Sequence, residues 1–99
     1  MIAVCSGPES RETSIKIANN LREKGHLVSR VSGGIKKYLK AVIDSDAILV
    51  VNDGGEVSPE LVVAMILADY FGKDVLATRE PESGALSELL SSIKVKVVR

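Results

Sequence analysis

Five short runs of aliphatic, mostly β-branched residues recur along the chain, separated by stretches long enough for a helix, and this alternation restricts the fold more than any other feature. The runs are Ile2 to Cys5, Leu27 to Val31, Ala47 to Val51, Val75 to Thr78 and Val95 to Val98. Between them lie Glu9 to Lys24, Ile35 to Ile43, Ser58 to Phe71 and Ser83 to Ser92, each of helical character and of a length that a right-handed crossover between parallel strands needs. The pattern reads β-α-β-α-β-α-β-α-β. It predicts an α/β domain with a parallel sheet covered by helices. Hydrophobic residues make up 45% of the chain but aromatic residues only 3%, so the core has to be built from Val, Ile, Leu and Ala. Ala47-Ile48-Leu49-Val50-Val51 is unbroken, as expected of a central strand buried on both faces.

The punctuation agrees with these boundaries. Gly25 and Gly72 follow the first and third helical segments as C-terminal caps, and Ser58-Pro59 places an N-cap before a first-turn proline. The closing Lys94-Val95-Lys96-Val97 alternation suits a sheet edge whose lysines discourage pairing with another chain.

Several function classes are disfavoured at the outset. Thirteen basic and thirteen acidic residues leave no net charge, so the electrostatic footprint of a general nucleic-acid binder is missing. The longest apolar run, Leu61 to Ala68, is far shorter than the roughly 20 residues that span a bilayer. Met1 leads directly into a strand, so no targeting segment is expected and a cytoplasmic location is. The single cysteine, Cys5, allows neither an intramolecular disulfide nor a multi-cysteine zinc site. No metal and no cofactor are expected.

In an open parallel sheet, ligands bind beyond the carboxyl ends of the strands, where helix N-termini point free N–H groups into a crevice. The loops after the strands therefore carry the functional expectation. After the first strand, Ser6, Gly7, Ser10 and Arg11 offer a glycine turn, two hydroxyls and a guanidinium fork for a phosphate, although Glu9 opposes an anion there. An ordinary strand-to-helix turn is the alternative. After the third strand, Asn52 to Glu60 form the longest polar loop. Gly54 and Gly55 permit close backbone approach, and Asp53, Glu56 and Glu60 offer carboxylates to sugar hydroxyls or to acid–base chemistry. A solvated loop is the alternative here.

The helix that follows is apolar all round from Leu61 to Ala68, where a helix covering one sheet face needs only a stripe. Something has to cover its other side, and a homodimer packing this helix against its mate is the expected supplier. Steeper burial within one chain competes with that explanation.

Cys5 and Arg11 also stand at the Cys-x5-Arg spacing by which small tyrosine phosphatases and some sugar-phosphotransferase subunits set a thiolate in a phosphate loop. Glu12 stands where such loops carry serine or threonine, and Pro8 and Glu9 lie inside.

Taken in order, these segments resemble the nucleoside 2-deoxyribosyltransferase-like family, most closely its small deoxynucleoside 5′-monophosphate N-glycosidases. The resemblance rests on Val4-Cys5-Ser6-Gly7 through Arg11, on Ser45-Asp46 before the central strand, on Ser58 through Ala68 and Gly72-Lys73, and on Arg79-Glu80-Pro81-Glu82-Ser83-Gly84-Ala85-Leu86-Ser87. It implies a glutamate early in the third helix that serves N-glycosidic chemistry. Aligned without gaps, that position is Ala64, and Val62 and Val63 replace nearby glycines. Glu60 lies one turn earlier on the same helix face.

These readings combine into one expectation. The fold is a Rossmann-like, flavodoxin-like three-layer domain over residues 1–99, its five-stranded parallel sheet ordered 2-1-3-4-5 with helices on both faces. A nucleoside 5′-monophosphate or related ribosyl ligand binds at the carboxyl ends of the strands. Ser6, Gly7, Ser10 and Arg11 hold its phosphate, Asp46 and Asp53 orient the sugar or the adjoining loop, and Gly54 and Ser58 line the approach. The resemblance implies that Ser83 and Gly84 complete the phosphate side from a neighbouring subunit. Glu60 is the carboxylate for hydrolysis or transfer at the N-glycosidic bond. A catalytically silent nucleotide-binding module, which Ala64 favours, and a Cys5 phosphatase are the alternatives.

Overall fold

Strand β1 (Ile2–Ser6) lies between β2 (Val28–Val31) and β3 (Ala47–Val51), and β3 in turn pairs with β4 (Asp74–Ala77), which pairs with β5 (Lys96–Val97). All pairs are parallel, and the order is 2-1-3-4-5. The structure is a computed structural model describing residues 1–98; Arg99 and the side chain of Ala85 lie outside the described residues. Helices α1 (Arg11–Glu23), α2 (Ile35–Asp44), α3 (Pro59–Tyr70) and α4 (Ser87–Ser91) occupy the four crossovers. Single 3-10 turns at Pro8–Ser10 and Gly84–Leu86 lead into α1 and α4.

The two-residue period of the strands sorts the core into two layers. Val4, Leu49 and Val51 face α1, packing with Ala18 and the half-buried Ile17 and Leu21. Ala3, Cys5, Ile48, Val50, Val75 and Ala77 face α2, α3 and α4. β3 has partners on both edges and both faces covered, which is why Ala47-Ile48-Leu49-Val50-Val51 carries no polar residue.

The caps form as the punctuation predicts. Ser58 Oγ accepts the Leu61 N–H ahead of Pro59 in the first turn of α3. Gly72, at φ 73°, closes the same helix with its N–H on the Asp69 carbonyl while Lys73 N–H reaches Ala68, and a side chain there would be strained by the left-handed backbone. No helix among the described residues is long and apolar enough to cross a membrane.

Helix α3 corrects the expectation drawn from its composition. Leu61, Val62, Ala64, Met65 and Ala68 are buried within the single chain, because α3 lies between α2 and α4 as well as on the sheet. Flanking helices cover the sides that one sheet face would leave open. Val63 and Tyr70 on its outer surface remain exposed, as do Pro59 and Glu60 at its start.

Candidate functional site

The order 2-1-3-4-5 reverses between β1 and β3, and the crevice at that switch point is open. A cleft of about 650 Å³ lies there, bounded by the loops after β1 and β2 and by the start of α3. Gly7, Arg11, Ser58 and Glu60, all expected at a site, line it together. Glu60 is brought there by the Ser58 cap, which fixes where α3 begins. Ser58 reaches the cleft with its hydroxyl already engaged by that cap.

Four further lining groups, none of them expected from the sequence, come from β2 and from its connection to α2. Arg30, Ser32, Gly33 and Gly34 all face the cleft. Gly34 is the N-cap of α2 and supplies no side chain, so the first N–H groups of that helix are left without a side-chain acceptor. Gly33 stands at φ 122°, a conformation suited to glycine, and its hydrogen lets Lys37 lie across it. The readable signal was Ser32-Gly33-Gly34 itself, a small hydroxyl-and-glycine turn opening a helix, as informative as the turn after β1. Arg30 also borders a separate groove of about 470 Å³ between β2 and α2, which Lys37, Lys40 and Asp44 line.

Tyr38 forms the floor. Its buried hydroxyl donates to the Ser6 carbonyl at 3.1 Å, which locks α2 to the end of β1. Burial pushes its phenol up from the ordinary value, a Gly33 backbone hydrogen bond opposes this, and the nearby Cys5, Glu60 and Glu9 add to the rise.

The glycine turn after β1 is not the anion corner that its composition suggests. Glu9 folds back over Gly7, where a Cβ would meet its Oε1 at 2.5 Å, so a carboxylate occupies the approach to that turn. Ser6 and Ser10 are buried, and Ser10 Oγ accepts the Asp53 N–H at 3.4 Å. Asp53 is likewise committed: its Oδ2 accepts the Thr13 hydroxyl at 2.8 Å, tying the loop after β3 to α1. Ser10 and Asp53 tie the loop after β3 to the start of α1, and none of the three residues lines the cleft.

Asp46 is displaced further. It immediately precedes β3 and therefore lies at the amino ends of the strands, where it pairs with the Met1 ammonium. That hydrogen bond and charge hold its carboxyl below the usual range. The expected role at the sugar is incompatible with that position. Gly54 lines a different depression of about 610 Å³, with Gly55, Thr78, Arg79, Glu80, Glu82 and Val97. Ser83 and Gly84 lie beyond Glu82 and line neither space within this chain.

Asn52, whose place in a polar loop gives no local signal of its role, ties the loops after β3 and β4 together. It is buried, and both of its amide hydrogens and both lone pairs of its carbonyl oxygen are used. Nδ2 donates to the Gly55 and Arg79 carbonyls at 3.2 and 3.1 Å. Oδ1 accepts from the Thr78 hydroxyl and the Arg79 N–H, each at 3.1 Å. Glu82 N–H to the Gly55 carbonyl and Val57 N–H to the Glu82 carbonyl, both 2.8 Å, zip the loops after β3 and β4 further.

Cys5 does not belong to the site. Its side chain packs in the core with Ala3, Val50 and Ala77, and burial pushes the thiol up to about 12. It is protonated and shielded at neutral pH, so Cys5 and Arg11 do not form a thiolate phosphate loop despite their spacing. Ala64 is fully buried in the core and does not line the cleft, and Glu60 is the carboxylate that α3 contributes to the lining.

No family model, curated protein or solved structure matches this chain.

Proposed function

We propose that the cleft binds a nucleoside 5′-monophosphate or a related ribosyl phosphate, its phosphate toward Arg11 and Arg30 and its sugar toward Glu60. The observation that carries this reading is one convergence at the switch point. Two guanidiniums and the uncapped start of α2 meet in a 650 Å³ cleft to which α3 adds a carboxylate. Guanidinium forks match phosphate oxygens two at a time, and free N–H groups at a helix start favour the same charge. The cleft volume is in the range of small-ligand sites, roughly 300–1,000 Å³.

Glu60 is the group available for N-glycosidic chemistry. Hydrolysis would bond a water oxygen to C1′, break the C1′–N bond and release the base with a proton. Glu60 would accept a proton from that water or stabilise positive charge developing on the sugar. The burial of Ala64 favours a second reading, a binding module without turnover, since the next turn of α3 offers the cleft no carboxylate.

A thermal-shift panel of nucleoside monophosphates, nucleosides, ribose 5-phosphate and inorganic phosphate, followed by chromatography for free base, tests both. Ligand that binds only the native state raises its stability with concentration over Kd. Stabilisation by monophosphates beyond that by inorganic phosphate supports the site, and its absence overturns the proposal. Base release that Glu60→Ala abolishes supports hydrolysis, whereas stabilisation without release supports the silent module.

A further inference from the structure

The cations of the cleft continue beyond it. Arg30 and Ser32 line both the cleft and the neighbouring groove of about 470 Å³ between β2 and α2, so the two spaces share a wall. Within the cleft, Arg11 and Arg30 are matched by Glu9 and Glu60, and the lining side chains sum to no formal charge. Across the wall the balance changes. The groove sets Arg30, Lys37 and Lys40 against the carboxylate of Asp44, and the Met1 ammonium that also borders it is paired with Asp46. Among the described residues, none of Arg30, Lys37 and Lys40 is in an ion pair.

Lys37 belongs to the wall itself. A Cβ built on Gly33 would lie 3.1 Å from Lys37 Cδ and 3.4 Å from its Nζ, so the lysine stem rests against the connection from β2 to α2. Gly33 lines the cleft and Lys37 the groove, which puts the ammonium between the two spaces. Lys40 follows one turn later on the same face of α2. The free N–H groups at the start of this helix add to the positive end, whereas Asp44 stands at the other end with the last carbonyls. An anion crossing from the cleft is therefore drawn to the first turns of α2 and repelled further along.

We infer that the ligand carries a second anionic group across this wall and that the site is built for a nucleoside 5′-diphosphate. The first phosphate lies between Arg11 and Arg30, the second between Arg30 and Lys37 with Lys40 behind it. This inference rests on the nucleotide reading of the cleft and deepens it. A monophosphate held in the cleft is opposed by Glu9 and Glu60 and leaves Lys37 and Lys40 without a counter-charge, while a third phosphate would approach Asp44.

Titration of the full chain in metal-free buffer with adenosine and uridine 5′-mono-, di- and triphosphates, inorganic phosphate and pyrophosphate tests this. Each diphosphate should bind roughly tenfold tighter than its monophosphate, as one further charge-assisted contact supplies, and no weaker than its triphosphate. Lys37 and Lys40 do not line the cleft. The double variant Lys37→Gln, Lys40→Gln should therefore bring the diphosphates down to the monophosphates, whose own affinity stays close to that of the wild type. Should the double variant fail to fold, Lys40→Gln alone should narrow the gap. Equal affinity of mono- and diphosphates in the wild type overturns the inference and leaves the cleft reading standing, as does a triphosphate that binds tighter still or an advantage that survives in the folded double variant. Monophosphates that bind no better than inorganic phosphate, or pyrophosphate that matches the nucleoside diphosphates, would overturn the cleft reading and the inference with it.

Discussion

At the carboxyl ends of β3 and β4, Asn52 and Thr78 commit their polar groups to each other and to neighbouring backbone. At the ends of β1 and β2 the situation is reversed. Among the described residues, Arg11, Arg30, Glu9 and Glu60 line the cleft without an ion pair, and the first turn of α2 has no side-chain cap. In one half Asn52 knits two loops together, although Arg79, Glu80 and Glu82 still border an open depression there; in the other, no comparable side-chain network among the described residues links the loops around the cleft. The difference bears on the proposed site more sharply than residue type does. The acidic, glycine-bearing loop after β3 contains the more suggestive residues, yet most of its polar atoms are engaged in structure.

The most severe way to break this comparison is Asn52→Ala. The substitution deletes four side-chain hydrogen bonds at a buried position and strands the Gly55 and Arg79 carbonyls and the Arg79 N–H. We expect a loss of about 3 kcal/mol in denaturant unfolding, a midpoint drop of roughly 12–24 °C for a domain of this size. Arg30→Ala, an exposed change in the open half, should move stability by less than about 0.5 kcal/mol. Comparable costs for the two variants would mean that the halves are not differently built.

Cys5 gives a second, pH-dependent test, because it lies in β1 directly beneath the open half and belongs to the core. Burial pushes its pKa up to about 12 in the folded chain, from 9.0 for a freely exposed thiol. The folded state therefore holds its proton over a range where the unfolded state releases it. The resulting stabilisation is complete below pH 9 and is lost as pH rises toward 12, with a ceiling of about 4 kcal/mol if the full difference is realised. Cys5→Ala should flatten that alkaline fall relative to wild type. It should also leave ligand stabilisation at pH 7 unchanged, whereas a lost response would return the thiol to the site.

Much of the fold was legible because its signals are local and repeated. Aliphatic runs, Ser58-Pro59, Gly25 and Gly72 each act within a few residues, and the crossover rule converts their succession into a parallel sheet. Part of the candidate cleft was legible for the same reason: Gly7, Arg11, Ser58 and Glu60 sit where a strand leads into a helix, at the carboxyl ends of the strands. Asp46 shows the converse. A residue just before a parallel strand is at the opposite end from one just after it, so its position alone argued against a ligand role. Asn52, Asp53 and Ser10 illustrate what sequence could not resolve. Which polar residues satisfy one another depends on loop-to-loop distances across 43 and 27 residues of chain, and no local pattern encodes them.

The finest test separates charge from shape in the open half. Arg30 is the cleft cation whose sequence context, an edge strand, gave no hint of a ligand, and its loop runs into the bare start of α2. If its guanidinium grips a phosphate through two parallel hydrogen bonds, Arg30→Lys keeps the charge and loses the fork. Titration with the best-stabilising monophosphate should then show roughly tenfold weaker binding for Arg30→Lys, about 1.4 kcal/mol, and a larger loss for Arg30→Ala. Both variants should melt with the wild-type chain when no ligand is added. Equal affinity of Arg30→Lys and wild type would show that Arg30 supplies only a diffuse positive field, leaving Arg11 and the α2 backbone to fix the phosphate's orientation. Undiminished affinity in Arg30→Ala would move the anion away from the β2 side altogether, and the contrast between a closed and an open half would no longer mark the binding site.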